Sequence, residues 1–191
     1  MNIILEHVNK SFGTLSVLKD LNLILEEQKT SCIMGPSGCG KTTLLHILLG
    51  LHSIDSGEIS GLEDKIPAVV FQENRLLEQQ DAFTNIRAVC KRALTNEQIA
   101  AEFSRIGLKD YENKPVSDLS GGMKRRVAIL RALMADGCNL ILMDEPFKGL
   151  DEALKSQVMQ YVKEKTQGKT VVFVTHDKEE SDALDAKLIM L

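Results

Sequence analysis

The chain has 191 residues, of which 43% are hydrophobic and 26% charged, with 23 Lys plus Arg against 27 Asp plus Glu and a formal charge of −4. A chain of this length buries roughly 70% of its unfolded surface, so one ordinary domain needs no disulfide or metal support. Only 4% of the residues are aromatic, and non-specific nucleic-acid binding usually needs a basic surface or stacking rings. We expect no nucleic-acid partner, and any anionic ligand must be bound by a specific local group of residues rather than by overall positive charge.

The cysteines lie far apart and form no C-x-x-C pair, which argues against a zinc ribbon and against a secreted disulfide framework. They are Cys32, Cys39, Cys90 and Cys138. Residues 1–7 include an acid and a histidine. These polar residues come too early in the chain to leave room for the apolar region of a signal peptide. The longest apolar stretch, 44–51, is far shorter than the ~20 residues that cross a bilayer. We therefore expect a cytoplasmic chain that does not span a membrane by itself.

Short apolar segments predict strands, and a Gly-rich turn after the third of them precedes an apolar helix at 41–49. The N-terminal segments include an alternating one, whereas several later ones are continuous apolar runs that suit a parallel sheet covered on both faces. The predicted strands are 3–8, 17–25, 31–34, 68–71, 139–143, 170–175 and 187–191.

The middle of the chain shows helical patterns instead. Ile99, Phe103 and Ile106 recur at helical spacing, and Pro115 is expected to end their helix, because a proline disfavours helical geometry in the residue before it. We therefore predict one α/β domain over residues 1–191 with a helical insertion at about residues 73–135.

The segment 35–42 fits the phosphate-loop pattern G-x-x-x-x-G-K-[ST] and stands between a predicted strand and a predicted helix. Its glycines let successive backbone N–H groups point at phosphate oxygens, and the helix N-terminus favours an anion. Lys41 can reach the β and γ phosphates, and the Thr42 hydroxyl can bind Mg²⁺. The predicted nucleotide-binding residues here are Gly35, Pro36, Ser37, Gly38, Cys39, Gly40, Lys41, Thr42 and Thr43.

Asp144 and Glu145 directly follow the apolar run 140–143. Mg²⁺ prefers oxygen ligands and keeps several waters, which suits Asp144 at a strand end beside the phosphate loop. Glu145 would then be free to polarise an attacking water. Kinases, GTPases and transport ATPases share these two motifs, so they predict a nucleoside triphosphate site without choosing among those classes.

A second candidate anion site lies at Leu119, Ser120, Gly121 and Gly122, which we call the Ser120 motif. A hydroxyl and two glycines before a helical run make a helix N-terminus suited to an anion. One phosphate loop needs no second site of this kind unless the second site serves the nucleotide of another molecule.

With this motif the sequence resembles the nucleotide-binding subunit of ATP-binding cassette (ABC) transporters almost from end to end. Seven pieces match in the family's order: Phe12, the phosphate loop, Gln72, the Ser120 motif, 140–146, 149–151 and His176. The resemblance implies a P-loop NTPase fold of the ABC ATPase type, with a mostly parallel core sheet, N-terminal antiparallel strands and an inserted helical subdomain. It also implies a minimal cassette without a regulatory C-terminal domain.

The resemblance further implies Mg²⁺-dependent ATP hydrolysis in a head-to-tail dimer of two copies or of paired cassettes. Each ATP would lie between the phosphate loop of one subunit and Ser120, Gly121 and Gly122 of the other. Phe12 and Val17 would contact adenine, Gln72 would reach Mg²⁺ and the water, and His176 would contact the γ phosphate. Glu145 would be the general base. The predicted catalytic residues are Glu145, His176, Lys41 and Gln72, and the predicted metal ligands are Thr42, Gln72 and Asp144.

The partners implied are an integral-membrane permease and an additional substrate-binding protein. Through the permease, the chain would lie peripherally on the cytoplasmic face of the cell membrane. The segment 71–77 resembles importers of nitrate, sulfonate, taurine and similar small anions. Two alternatives stay open at this point, a soluble ABC-type ATPase of a non-transport assembly process and a small P-loop kinase. A kinase would leave Ser120 and His176 without a role.

Two departures from the family pattern concern hydrolysis and communication between subunits. Met123 stands where the family commonly has Gln, and it cannot donate an amide hydrogen bond. Phe147, Lys148 and Gly149 occupy a stretch where small Ser and Ala residues are usual.

Two further expectations concern single helices. Asp177 and Glu180 resemble a capping box. Lys124, Arg125 and Arg126 are interpreted as a helix face rather than a basic patch.

Overall fold

A computed structural model describes residues 1–90, 94–109 and 114–191. Within these ranges two sheets and six α-helices form an α/β fold. The strands are β1 (Ile3–Phe12), β2 (Leu15–Leu25), β3 (Thr30–Met34), β4 (Ser56–Ser60), β5 (Pro67–Val70), β6 (Leu140–Asp144), β7 (Thr170–Val174) and β8 (Lys187–Met190). The helices are α1 (Lys41–Leu48), α2 (Ala82–Arg87), α3 (Asn96–Arg105), α4 (Gly121–Met134), α5 (Glu152–Lys165) and α6 (Lys178–Ala183), with a 3₁₀ turn at Val116–Asp118.

The larger sheet is parallel, with strand order β5-β6-β7-β3-β8. Every residue of β6 and β7 is buried, as expected of strands covered on both faces. This confirms the predicted parallel core sheet. Since parallel strands present their carboxyl ends at one edge, the residues that follow β3, β6 and β7 meet there.

The smaller sheet is antiparallel, with strand order β2-β1-β4, which confirms the antiparallel strands expected near the N-terminus. The sequence analysis missed β4. Its five residues are exposed or half-buried and contain one large apolar side chain, Ile59. An edge strand of this kind leaves almost no periodicity to detect.

Two buried clusters cover the two faces of the parallel sheet. One joins Leu44 and Leu45 of α1 to the antiparallel sheet and one face of β6 and β7. The other contains Ile99, Phe103 and Ile106 together with α4, α5 and the opposite sheet face. The three residues predicted at helical spacing are fully buried, so the helices between β5 and β6 share one continuous core with the sheet.

Helix α3 ends at Arg105, so the prediction that Pro115 ends it is wrong. The end is set by Gly107, which has φ +71°, while its N–H and that of Leu108 donate to the carbonyls of Ser104 and Phe103. This is a Schellman arrangement, which glycine favours because it adopts positive φ without a Cβ clash. The segment 110–113 lies outside the described residues.

Candidate active site

The phosphate loop joins the central strand β3 to α1, as the sequence predicts. Gly40 is the N-cap of α1 with φ 103°, and a Cβ there would lie 2.7 Å from Leu18 Cδ2 and 2.9 Å from Val17 Cγ1. Only glycine fits this position. Lys41 is 7% exposed, and its Nζ donates to the carbonyls of Gly35 at 2.8 Å and Pro36 at 2.9 Å. Its charge therefore lies over the loop at the start of a helix, where an anion is favoured.

Asp144 ends β6 beside the phosphate loop and is buried. Thr42 Oγ1 donates to Asp144 Oδ2 at 2.7 Å, so the two predicted metal ligands are in contact. Among the residues that the structure describes, no cluster of three or more His, Cys, Asp or Glu could hold a metal ion. One carboxylate and one hydroxyl fit Mg²⁺ in its usual nucleotide-site form, in which phosphates and waters complete the ligand set.

Glu145 lies in a tight turn directly after β6, with φ 46°. Its N–H donates to Val174 O at 2.9 Å, and the N–H of Lys148 donates to Glu145 O at 3.2 Å. The carboxylate is 16% exposed; Oε2 accepts from Lys148 Nζ at 2.5 Å, and Oε1 lies 3.5 Å from His176 Nε2. The structure therefore brings together Glu145 and His176, which are distant in sequence.

A cavity of about 410 Å³ opens at this edge of the sheet. The predicted residues that line it are Phe12, Val17, Ser37, Gly38, Gly40, Lys41, Thr42, Thr43, Gln72, Asp144, Glu145 and His176. Leu15 and Val174 also line it and were missed. Leu15 is paired with Phe12 across the hairpin and is 65% exposed; an apolar side chain at a hairpin tip is the signal that could have found it.

Phe12 lies at the mouth of this cavity and is 44% exposed. The edge-on ring of His52 lies 5.3 Å from its centroid, and Lys10 Nζ lies 5.3 Å from the same point. An aromatic ring so exposed can offer a face to a planar ligand. Gln72 is exposed and also lines the cavity.

Gly35, Pro36 and Cys39 shape the phosphate loop without lining the cavity. Cys39 N donates to Pro36 O at 3.3 Å, which closes the turn of the loop. The three predicted residues of the Ser120 motif, Ser120, Gly121 and Gly122, also lie outside the cavity.

Ser120 is the exposed N-cap of α4, and its hydroxyl accepts from Met123 N at 3.3 Å. A Cβ on Gly122 would lie 3.2 Å from Gly149 O, so the motif touches the turn that follows Glu145. The Met123 side chain packs against the core, which gives it an apolar role in place of an amide hydrogen bond. Within one chain, the second helix N-terminus therefore lies outside the cavity that the phosphate loop lines.

Arg125 corrects the expectation that residues 124–126 form a helix face, because it is only 4% exposed. Its guanidinium donates to the carbonyls of Phe71 and Asp144 at 2.5 Å, of Glu145 at 2.6 Å and of Pro146 at 2.9 Å. Burial lowers the pKa of Arg125, against the opposing effect of the Asp144 and Glu145 charges. One buried side chain thus fastens α4 to the ends of β5 and β6.

Arg126 is buried as well and donates to the carbonyls of Ile106 and Gly107, whereas Lys124 forms a surface ion pair with Glu78. The sequence analysis missed the structural roles of both arginines. Charge alone cannot distinguish a solvated arginine from one that satisfies buried carbonyls.

The His176 segment is held by a buried lysine on α5. Lys155 Nζ lies 2.5 Å from Asp177 Oδ2 and 3.0 Å from Glu180 Oε1. Burial alone would lower the pKa of Lys155, but its bonds to both carboxylates raise it, and Lys155 holds the pKa of Asp177 below its usual value. This pairing fixes the segment that follows His176 relative to α5.

The predicted capping box at Asp177 and Glu180 is wrong in its second half. Asp177 is the N-cap of α6 and accepts from Glu179 N at 2.9 Å. The N–H of Asp177 donates to Thr175 Oγ1, and that hydroxyl donates to Glu180 Oε2. Glu180 is drawn inward because Thr175 and Lys155 offer buried donors.

A family model described as ABC transporter matches residues 18–148. The chain belongs to the ABC transporter family. It is an ATPase domain of the ABC type. The family match favours neither of the two alternatives, a P-loop kinase and a non-transport ATPase.

Two curated relatives show how the ABC cassette compares with longer chains. The spermidine/putrescine import ATP-binding protein PotA of Bacteroides thetaiotaomicron is 36% identical over 97% of this chain and 43% of its own length. The Fe(3+) ions import ATP-binding protein FbpC of Agrobacterium fabrum is 34% identical over all of this chain and 58% of its own length. The cassette therefore spans about half the length of the curated relatives it matches.

Solved ABC cassettes share the fold. A dimeric bacterial ABC transporter cassette superposes with a TM-score of 0.86 at 30% identity, covering 99% of this chain and 94% of that one. The same cassette in a post-hydrolysis state, bound to ADP and phosphate, superposes with a TM-score of 0.84. In the described part of this chain, no helix has the length and apolar character needed to cross a membrane.

Proposed function

We propose that this chain is the ATP-hydrolysing subunit of an ABC importer and drives a separate membrane permease. The observation that carries this proposal is the meeting of Lys41, Thr42, Asp144, Glu145 and His176 at one cavity. These groups come from three parallel strand ends and supply a phosphate binder, a metal-binding pair and a carboxylate placed for proton transfer.

The phosphates of ATP would bind at the N-terminus of α1, on the loop N–H groups and Lys41. Phe12 and Val17, with Leu15 beside them, would hold adenine at the cavity mouth. Thr42, Asp144 and Gln72 would hold Mg²⁺, which supplies neutralisation of developing phosphate charge.

In the chemical step, an attacking water would give a proton to Glu145 as its oxygen bonds to the γ phosphorus. The bond from that phosphorus to the bridging oxygen breaks, and the electron pair leaves with ADP. His176 would contact the γ phosphate beside Glu145. Catalysis would come mainly from positioning and from the charges aimed at the transferred group.

The Ser120 motif lies outside the cavity of its own chain, which supports a head-to-tail dimer in which each motif completes the site of the other subunit. The partner would be a second copy or a paired cassette. The single domain would present its inserted helices, about residues 73–135, together with the Gln72 segment to the permease at the cytoplasmic face.

The substrate is proposed only as a small solute delivered by a substrate-binding protein. The relatives named above carry polyamines or Fe(3+) in their names, whereas residues 71–77 resemble importers of small anions.

Glu145→Gln tests the proposed function. We expect ATP binding to persist, hydrolysis to fall at least about 100-fold, and ATP with Mg²⁺ to give a species of twice the 21.2 kDa chain mass in light scattering. Glu152→Gln, the same change at an exposed carboxylate of α5, should behave as wild type. A Glu145→Gln chain that hydrolyses normally, or stays monomeric at every concentration, contradicts the proposal.

A further inference from the structure

Lys148 contacts the carboxylate to which the proposed function assigns the proton transfer. The turn from Glu145 to Lys148 is closed by a backbone hydrogen bond between these two residues. It places Lys148 Nζ 2.5 Å from Glu145 Oε2. The two residues are three apart in sequence, so the same turn carries both partners of the pair.

The two oxygens of Glu145 face different neighbours. Oε1 faces His176 at 3.5 Å, whereas Oε2 is bound to Lys148. Glu145 forms part of the wall between the nucleotide cavity and a neighbouring cavity of about 280 Å³, and Lys148 lines only the second. The ammonium group thus attracts the carboxylate from the side away from the phosphate loop.

The other carboxylates of this second cavity are already engaged. Asp177 and Glu180 are both paired with Lys155 on α5. Lys148 therefore has Glu145 as its nearest acceptor there. An ammonium this close stabilises the carboxylate charge and occupies a lone pair that a water would otherwise donate to.

The position of Lys148 also explains how the contact could be released. Its side chain is 67% exposed, and it belongs to the turn that touches Gly122 through Gly149. In the proposed dimer, a second copy would bind at the Ser120 motif, next to this turn. We propose that Lys148 is a positioning residue that restrains Glu145 in the single chain and releases it when the dimer closes.

This inference rests on Glu145 acting as the base, and the test is Lys148→Met against Lys148→Arg. At a protein concentration below dimer saturation, removing the charge is expected to raise the apparent kcat, which is the ATPase rate per chain at saturating ATP, about two- to fivefold, as suits a partly exposed ion pair, with KM for ATP unchanged. Lys148→Arg keeps the charge and should restore the wild-type kcat. Lys163, near the C-terminal end of α5, forms a surface ion pair with Asp185. Lys163→Met removes this pair and serves as the matched control.

Two further readouts separate restraint from a general structural role. The ratio of the Lys148→Met and wild-type kcat values should decrease as salt rises to 1 M, because salt screens a partly exposed ion pair. In the chain without nucleotide, the ¹⁵N chemical shift of His176 Nε2 should change in Lys148→Met and not in Lys163→Met, because Glu145 is freed beside His176.

A kcat that falls or stays constant in Lys148→Met, or a His176 resonance that does not move, overturns the inference. Glu145→Gln distinguishes the two levels. If Glu145→Gln retains hydrolysis, the proposed function itself fails. If Glu145→Gln abolishes hydrolysis while Lys148→Met has no effect, only the restraint by Lys148 fails.

Discussion

Lys41 is a charged side chain that is almost fully buried, because the carbonyls of Gly35 and Pro36 accept from its Nζ. The bonds hold the ammonium over the loop, so little side-chain freedom remains to be lost when phosphate binds. Preorganisation of this kind increases affinity without any additional contact.

Lys41→Ala should therefore weaken ATP binding by about 10- to 100-fold, which corresponds to the loss of a charge-assisted bond of about 1.5–3 kcal/mol. Isothermal calorimetry measures the effect, and Lys19→Ala, at an exposed site on β2, is the control. An unchanged binding isotherm would show that the loop does not hold the phosphates.

At the scale of elements, α4 connects the parts of the site. Its first turn carries the Ser120 motif, and one turn later Arg125 donates to backbone carbonyls at the ends of β5 and β6. A movement of α4 would therefore shift the Gln72 segment and Glu145 together. Arg131 of α4 adds to this coupling, because its guanidinium donates to the carbonyls of Asn74 and Arg75.

Arg125→Met is expected to lower the free energy of unfolding by about 3 kcal/mol or more, because buried carbonyls lose their donor. Urea denaturation measures the change. Lys124→Met removes the neighbouring surface charge and should cost less than about 1 kcal/mol. Equal losses in the two variants would mean that the contacts of Arg125 do not stabilise the fold.

At the scale of the whole molecule, the phosphate loop and the Ser120 motif belong to one chain but not to one cavity. A complete site in the proposed dimer takes one part from each subunit. Activity then depends on the concentration of pairs and not of chains.

ATPase activity per chain should therefore rise with protein concentration and level off when the dimer is saturated. The measurement is the initial rate at saturating ATP over a 100-fold range of protein concentration. A rate strictly proportional to concentration from the lowest value would indicate an active single chain.

Sequence patterns predicted the parts whose geometry is local. The apolar runs gave the parallel strands to within one or two residues, because strands buried on both faces are continuously apolar. The phosphate loop and Asp144 could be found because each motif lies within one strand-to-turn segment. The edge strand β4 and the end of α3 at Gly107 escaped prediction, because one has no periodicity and the other depends on a left-handed residue.

By itself the sequence determined the α/β class, the phosphate loop and the carboxylates that follow β6. Only the tertiary structure decided that Glu145 lies between Lys148 and His176, that Arg125 is buried against carbonyls, and that Glu180 turns inward to Thr175. The physical reason is that these contacts join groups whose partners are set by strand order and helix packing. The identity of a charged residue does not show whether its side chain faces water or a buried partner. The tertiary structure determines which of the two it is.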